Sequence, residues 1–185
     1  PVSVGDPTGK TFKSHNIKVS GIIRGNDNVG AVMGRLTRGP SNPVGNLDFY
    51  NIKSSATVEG NNNVGGLFGM ISVTGDSVFY WDYLVSENQR IFANGNNVGG
   101  IAGFVFTDAQ NPWPPTDIKN LDYLAANNVE ISGQSNIGGI FGYLYDMDGI
   151  VNIRQSYAGG NVTGNENVGG FIGYYILNVS DRIAN

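Results

Sequence analysis

Three aspartates and one tryptophan stand out as residues that could do chemistry. Asp48, Asp82 and Asp122 lie in the similar segments Leu47-Asp48-Phe49-Tyr50, Trp81-Asp82-Tyr83-Leu84 and Leu121-Asp122-Tyr123-Leu124, with Asn152 next in Val151-Asn152-Ile153. If such segments stack as strands about 4.8 Å apart, the three carboxylates repel one another. A cation between them would relieve that repulsion, and calcium, which takes hard oxygen ligands, suits the column. The plainer reading is solvated acids beside a turn. Asp146-Met147-Asp148-Gly149 also alternates acids, but it lacks the closing Glu of a calcium loop and reads as an acidic turn. Trp113 sits between Pro112 and Pro114 in the longest insertion, residues 107–117. A Trp on a stiff exposed loop can stack on a sugar face or anchor a partner, or it can fold back as a lid over an apolar strand. The single His15 and the absence of Cys exclude a His cluster, a thiolate metal site and a disulfide within one chain.

Composition narrows the classes further. Of 185 residues, 28 are Gly and 24 are Asn. Both are poor helix formers, so a helical protein is disfavoured. Hydrophobic residues at 40% suffice for a core, and no apolar run is long enough for a membrane-spanning helix. The net charge is −4, and the eleven Lys and Arg form no basic stripe, so nucleic acid is not an expected partner. The chain opens at Pro1 with no charged-then-apolar leader, as expected of a piece of something longer. Gly5-Asp6-Pro7-Thr8-Gly9-Lys10-Thr11 has three residues between its glycines where a phosphate-binding loop needs four, and strand-like sequence follows it. The acceptor patterns Asn161-Val162-Thr163 and Asn178-Val179-Ser180 arise easily by chance in so Asn-rich a chain.

The elements that must position these residues are set by a fivefold repeat. Gly60-Asn61-Asn62-Asn63-Val64-Gly65-Gly66-Leu67-Phe68-Gly69 has counterparts whose first Gly after Val or Ile falls at 30, 65, 99, 138 and 169. A period in this range, with variable length, means stacked units whose insertions lie in loops. Before each motif, apolar or small residues (Ile23, Val58, Ala93, Ile131, Val162) alternate with polar ones, the period-2 signature of a strand with one wet face. Three short strands per repeat, with Gly and Asn at corners that need positive φ, predict an all-β, right-handed parallel β-solenoid. It has about five coils in one domain over 1–185, with repeats at about 12–46, 47–80, 81–117, 118–149 and 150–185.

Two columns follow from stacking. Asn28, Asn63, Asn97, Asn136 and Asn167 recur in every repeat and can form an amide ladder, or serve only as turn residues. In the third strand, Val32, Leu67, Ile101, Ile140 and Phe171 suit the interior, as do Leu36, Ile71, Val105, Leu144 and Tyr175. Strict alternation then puts Met33, Phe68, Ala102, Phe141 and Ile172 outside, together with Arg35, Met70, Phe104, Tyr143 and Tyr174. A strand apolar on both faces calls for a cover: loops, a neighbouring domain or another chain. Phe104, Tyr143 and Tyr174, with Trp113, are therefore the candidate contacts for a ligand or partner.

The motif resembles the GLUG repeat, named for Gly-Leu-any-Gly and found in tandem in bacterial surface and secreted proteins. Gly66-Leu67-Phe68-Gly69 fits it literally. Gly100-Ile101-Ala102-Gly103, Gly139-Ile140-Phe141-Gly142 and Gly170-Phe171-Ile172-Gly173 fit with apolar substitutions, and Ala31-Val32-Met33-Gly34 departs at its first position. The resemblance implies an extracellular or cell-surface location and brings no catalytic residues. The expectation is a non-enzymatic structural or adhesive module, with no cofactor unless calcium binds. Partners that suit it are other copies of itself, flanking solenoid coils, surface glycans or a host protein. The alternatives are a self-assembling filament or sheet subunit and, by fold analogy alone, a polysaccharide-active enzyme using Asp82 or Asp122 near Trp113.

Overall fold

The computed structural model describes residues 11–38, 45–74, 77–108, 118–146 and 150–177. Each of these five stretches makes one rung. The first carries β1 (Phe12–Val19), β2 (Ile22–Arg24), β3 (Asp27–Gly30) and β4 (Met33–Arg38). The second carries β5 (Gly45–Ser54), β6 (Thr57–Gly60), β7 (Asn62–Gly65) and β8 (Phe68–Thr74). The third carries β9 (Ser77–Glu87), β10 (Arg90–Ala93), β11 (Val98–Gly99) and β12 (Ala102–Asp108). The fourth carries β13 (Ile118–Ser132), β14 (Ser135–Gly138) and β15 (Phe141–Asp146). The fifth carries β16 (Ile150–Arg154), β17 (Tyr157–Thr163), β18 (Glu166–Gly169) and β19 (Ile172–Leu177). The third rung starts at Ser77, inside the stretch assigned from sequence to the preceding repeat.

The strands form three parallel sheets. The first holds β1-β5-β9-β13 and β2-β6-β10-β13, with β16 and β17 closing both halves on β13. The second runs β3-β7-β11-β14-β18 and the third β4-β8-β12-β15-β19. The chain is a parallel β-solenoid of about four turns. The upstream apolar stretch and the strand before the motif, expected as separate strands, share the first sheet and are fused into one strand in β13.

The interior explains the repeat. Val29, Val64, Val98 and Ile137 stack in one buried column, and Ile71, Val105 and Leu144 in another. Phe49, Phe68, Trp81 and Phe141 fill the middle with ring centroids 5.0 to 6.1 Å apart, the tilted and edge-on packing that aromatic quadrupoles favour. Trp81 Nε1 has no hydrogen-bond partner among the described residues. At the bend between β9 and β10, inside the first sheet, the buried Gln89 side chain accepts from Ser86 Oγ and donates to Ser54 Oγ, so its polarity is matched.

Asn28, Asn63, Asn97, Asn136 and Asn167 all have φ between 52° and 61°. Each also passes its side-chain amide along the column. Asn63 Nδ2 donates to Asn28 Oδ1 at 2.9 Å, Asn97 to Asn63 at 2.7 Å, and Asn136 to Asn97 and Asn167 to Asn136 at 2.8 Å each. Turn residue and ladder residue are thus the same residue. The motif glycines do something else. Among the described glycines only Gly21 and Gly160 sit in the left-handed region. A Cβ on Gly65 would lie 1.9 Å from the Phe68 carbonyl oxygen, so this glycine lets backbones touch where sheets two and three meet.

One expected column faces the other way. Phe68, Ala102 and Phe141 are fully buried, as are Leu67, Ile101 and Ile140 just before them. The chain bends at Gly66–Leu67 and at the equivalent positions of the other rungs, so consecutive residues both enter the core. Alternation restarts only after the glycine that follows, and Met33 and Ile172 pair into this inner column.

Candidate interaction surfaces

Two wet faces carry the side chains able to meet a ligand. The outer face of the third sheet presents two columns. One is Arg35, Met70, Phe104, Tyr143 and Tyr174, and the other is Thr37, Ser72, Phe106, Tyr145 and Ile176. Period-2 pleating turns these residues outward while Ile71, Val105 and Leu144 turn in. Phe104 and Tyr143, and Tyr143 and Tyr174, have centroids 5.1 Å apart at 59° and 54°. Phe106 and Tyr145 stack at 5.3 Å and 12°, and Tyr143 meets Tyr145 edge-on at 6.2 Å. The result is an uncharged aromatic surface over the last three rungs, bounded by Arg35 at the other end. Burial pushes the Tyr143 hydroxyl above its usual range, helped by Tyr174 and Tyr145, so Tyr143 stays a protonated donor. Sequence reasoning brought Phe104, Tyr143 and Tyr174 together but missed Phe106 and Tyr145. Their signal lay two residues further along the same strand.

The outer face of the first sheet is built differently. The register places His15, Tyr50, Asp82, Asp122 and Arg154 in one column. Lys13, Asp48, Tyr80, Asn120 and Asn152 form the neighbouring one. The expected stack of Asp48, Asp82 and Asp122 therefore does not form, because Asp48 lies two residues out of register with the other two. A two-residue slip keeps every side chain on its own face, so hydrophobic alternation cannot detect it. Asn152 is displaced in the same way, and Arg154 takes the place beside Asp122. Its guanidinium forks onto that carboxylate with two bonds of 2.9 Å. His15 Nε2 lies 3.0 Å from Asp48 Oδ2. Among the described residues Asp82 has no such partner, and burial, then the charge of Asp122, push its carboxyl above the usual range against a backbone hydrogen bond from Tyr83. Among the described residues no three His, Asp or Glu side chains converge as a metal site.

The second half of this face holds a shallow groove of about 380 Å³ between Thr57, Glu59, Arg90, Phe92, Glu130 and Ser132. Arg24 pairs with Glu59 at 2.6 Å and Arg90 with Glu130 at 3.0 Å. Its charges are thus used across rungs. Tyr83 and Tyr123 stand exposed in a column that has positive φ in every rung, with Asn16, Asn51 and Gln155. Trp113 and the segment 147–149 lie outside the described residues. Asp146 is buried and accepts from Thr107 Oγ1 at 2.7 Å, which ties two rungs together.

Comparison with known proteins finds no matching family model, no matching curated protein and no matching solved structure. The likeness to the GLUG repeat thus rests on the motif residues alone.

Proposed function

We propose that this chain is a non-enzymatic extracellular or cell-surface module, a stiff β-solenoid that displays a contact surface along its side wall. The observation that carries the reading is the uncharged aromatic face of the third sheet, where Phe104, Phe106, Tyr143, Tyr145 and Tyr174 adjoin across three rungs. Rings pre-ordered by their neighbours lose little conformational freedom on binding, and tyrosine hydroxyls add polar contacts at the rim. The charged residues of the first sheet support the same assignment from the opposite side. Arg24, Arg90 and Arg154 are paired with Glu59, Glu130 and Asp122, and His15 contacts Asp48, so much of the first sheet's charge is engaged between its own rungs. The GLUG-like motif supports the surface location.

Immobilised glycans and whole cells, probed with the purified chain, test this. The wild type binds, a Phe104→Ser/Tyr143→Ser variant loses binding, and Tyr123→Ser on the first sheet keeps it. A folded wild-type chain that binds no glycan and no cell surface overturns the adhesive role.

A further inference from the structure

The last described rung leaves its interior open. Val168 is 45% exposed, whereas Val64, Val98 and Ile137 in the same column are 0% exposed. Tyr175 is 44% exposed, whereas Ile71, Val105 and Leu144 are buried. Among the described strands, β18 pairs only with β14 and β19 only with β15, while β3 and β4 pair only with β7 and β8. Each of these four strands keeps one row of backbone donors and acceptors that no other described strand pairs with.

The side-chain ladders have a direction. Every Asn of the corner column donates Nδ2 toward the lower-numbered rung. Among the described residues, Asn28 therefore ends the ladder with its N–H donor unspent, and Asn167 ends it with its Oδ1 acceptor unspent. The aromatic column is asymmetric in the same sense, with Arg35 at one end and the exposed ring of Tyr174 at the other.

We propose that copies of this chain stack head to tail, the β3–β4 rung of one copy on the β18–β19 rung of the next. The join continues the register already present between rungs. It sets Asn28 Nδ2 on Asn167 Oδ1 and Leu36 on Tyr175, and brings the first rung, whose Val29 is already buried, over the open Val168. It also sets the Arg35 guanidinium on the Tyr174 ring, a cation–π contact. A second copy is the occupant because each face offers what the other lacks: donor for acceptor, aliphatic for open core, cation for ring. The contact is heterologous and does not close, so it propagates into an unbranched rod. This proposal stands apart from the side-wall contact, since it uses the ends of the columns and not their faces.

Sedimentation velocity and light scattering of the full chain over a range of concentrations test it, with negative-stain images of the product. The mass rises in steps of one chain, and the particles lengthen without widening. Val168→Lys, which buries an unpaired charge in the join, weakens association by roughly ten-fold or more. An Asn28→Gly/Arg35→Glu variant removes the donor and the cation from the opposite face; glycine keeps the positive φ of residue 28. Each variant alone stays mostly monomeric, and an equimolar mixture of the two forms dimers and nothing larger. A wild type that stays monomeric at every concentration overturns the proposal. So does unimpaired assembly of Val168→Lys, or a mixture of the variants that stays monomeric.

Discussion

The first and third sheets climb the same solenoid rung by rung, yet their outer faces follow opposite rules. On the third sheet, like follows like: Phe104, Tyr143 and Tyr174 extend one another, and Phe106 stacks on Tyr145. On the first sheet, chemistry changes at every step but one, from His15 to Tyr50, Asp82, Asp122 and Arg154, and the one repeated step sets Asp82 beside Asp122. Uncharged rings stack without penalty at the rung spacing, whereas like charges repel there and need a partner of opposite sign. The repeating face is thereby a continuous surface that a partner can meet. The changing face spends Asp122 and Arg154 on each other and leaves Asp82 beside a like charge.

The widest separation between the two faces comes from removing rings. Phe104→Ser with Tyr143→Ser deletes three ring contacts and lowers stability by about 2 kcal/mol in a denaturant titration, besides losing the side-wall contact. Next is Arg154→Met, which leaves Asp122 unneutralised beside Asp82. It lowers the melting midpoint at pH 7, and a further Asp122→Asn change restores it. Equal midpoints for Arg154→Met and wild type would show that the first-sheet charges do not hold rungs together.

A smaller effect, of opposite sign, belongs to Asp82. Its carboxyl is raised above the ordinary 3.8 by burial and by Asp122. A raised folded-state value favours the protonated form, so its contribution is complete below 3.8 and is lost as pH rises through the raised value. At pH 7 the ionised Asp82 is a cost, and Asp82→Asn raises the midpoint slightly. The gain shrinks on acidification toward pH 4, and thermal melts at the two pH values read it directly. Smallest of all is Glu59→Gln, which breaks the exposed pair with Arg24 and leaves the midpoint unchanged within error.

Much of the architecture was legible because it repeats. The four Asn-Val-Gly steps, the one Asn-Ile-Gly step and the alternation before them are enough to predict parallel stacking, and Asn28 through Asn167 fall in one column by number alone. The aromatic column followed from counting six residues past Val29 and its counterparts. Two features escaped for physical reasons. Asp48 was aligned with Asp82 because both follow a large apolar residue, and a shift of two residues preserves every inward and outward assignment. Phe68 and Phe141 were expected outside because alternation was carried through a bend, where the chain turns both Leu67 and Phe68 into the core. The glycines were read as corner residues with positive φ, yet at Gly65 the constraint is distance, set by a carbonyl of the adjoining strand that no one-dimensional pattern reveals.

The direction of the hydrogen bonds has a consequence for force. Every ladder joins one rung to the next, so tension along the solenoid axis falls on the rungs in series. The joint that yields first is the least covered one, below β18 and β19, where Val168 and Tyr175 give the least burial to lose. Extension then proceeds by peeling whole coils. Each coil of some 34 residues releases on the order of 110 Å of chain while the coils above it stay folded. Under load the molecule yields one coil at a time.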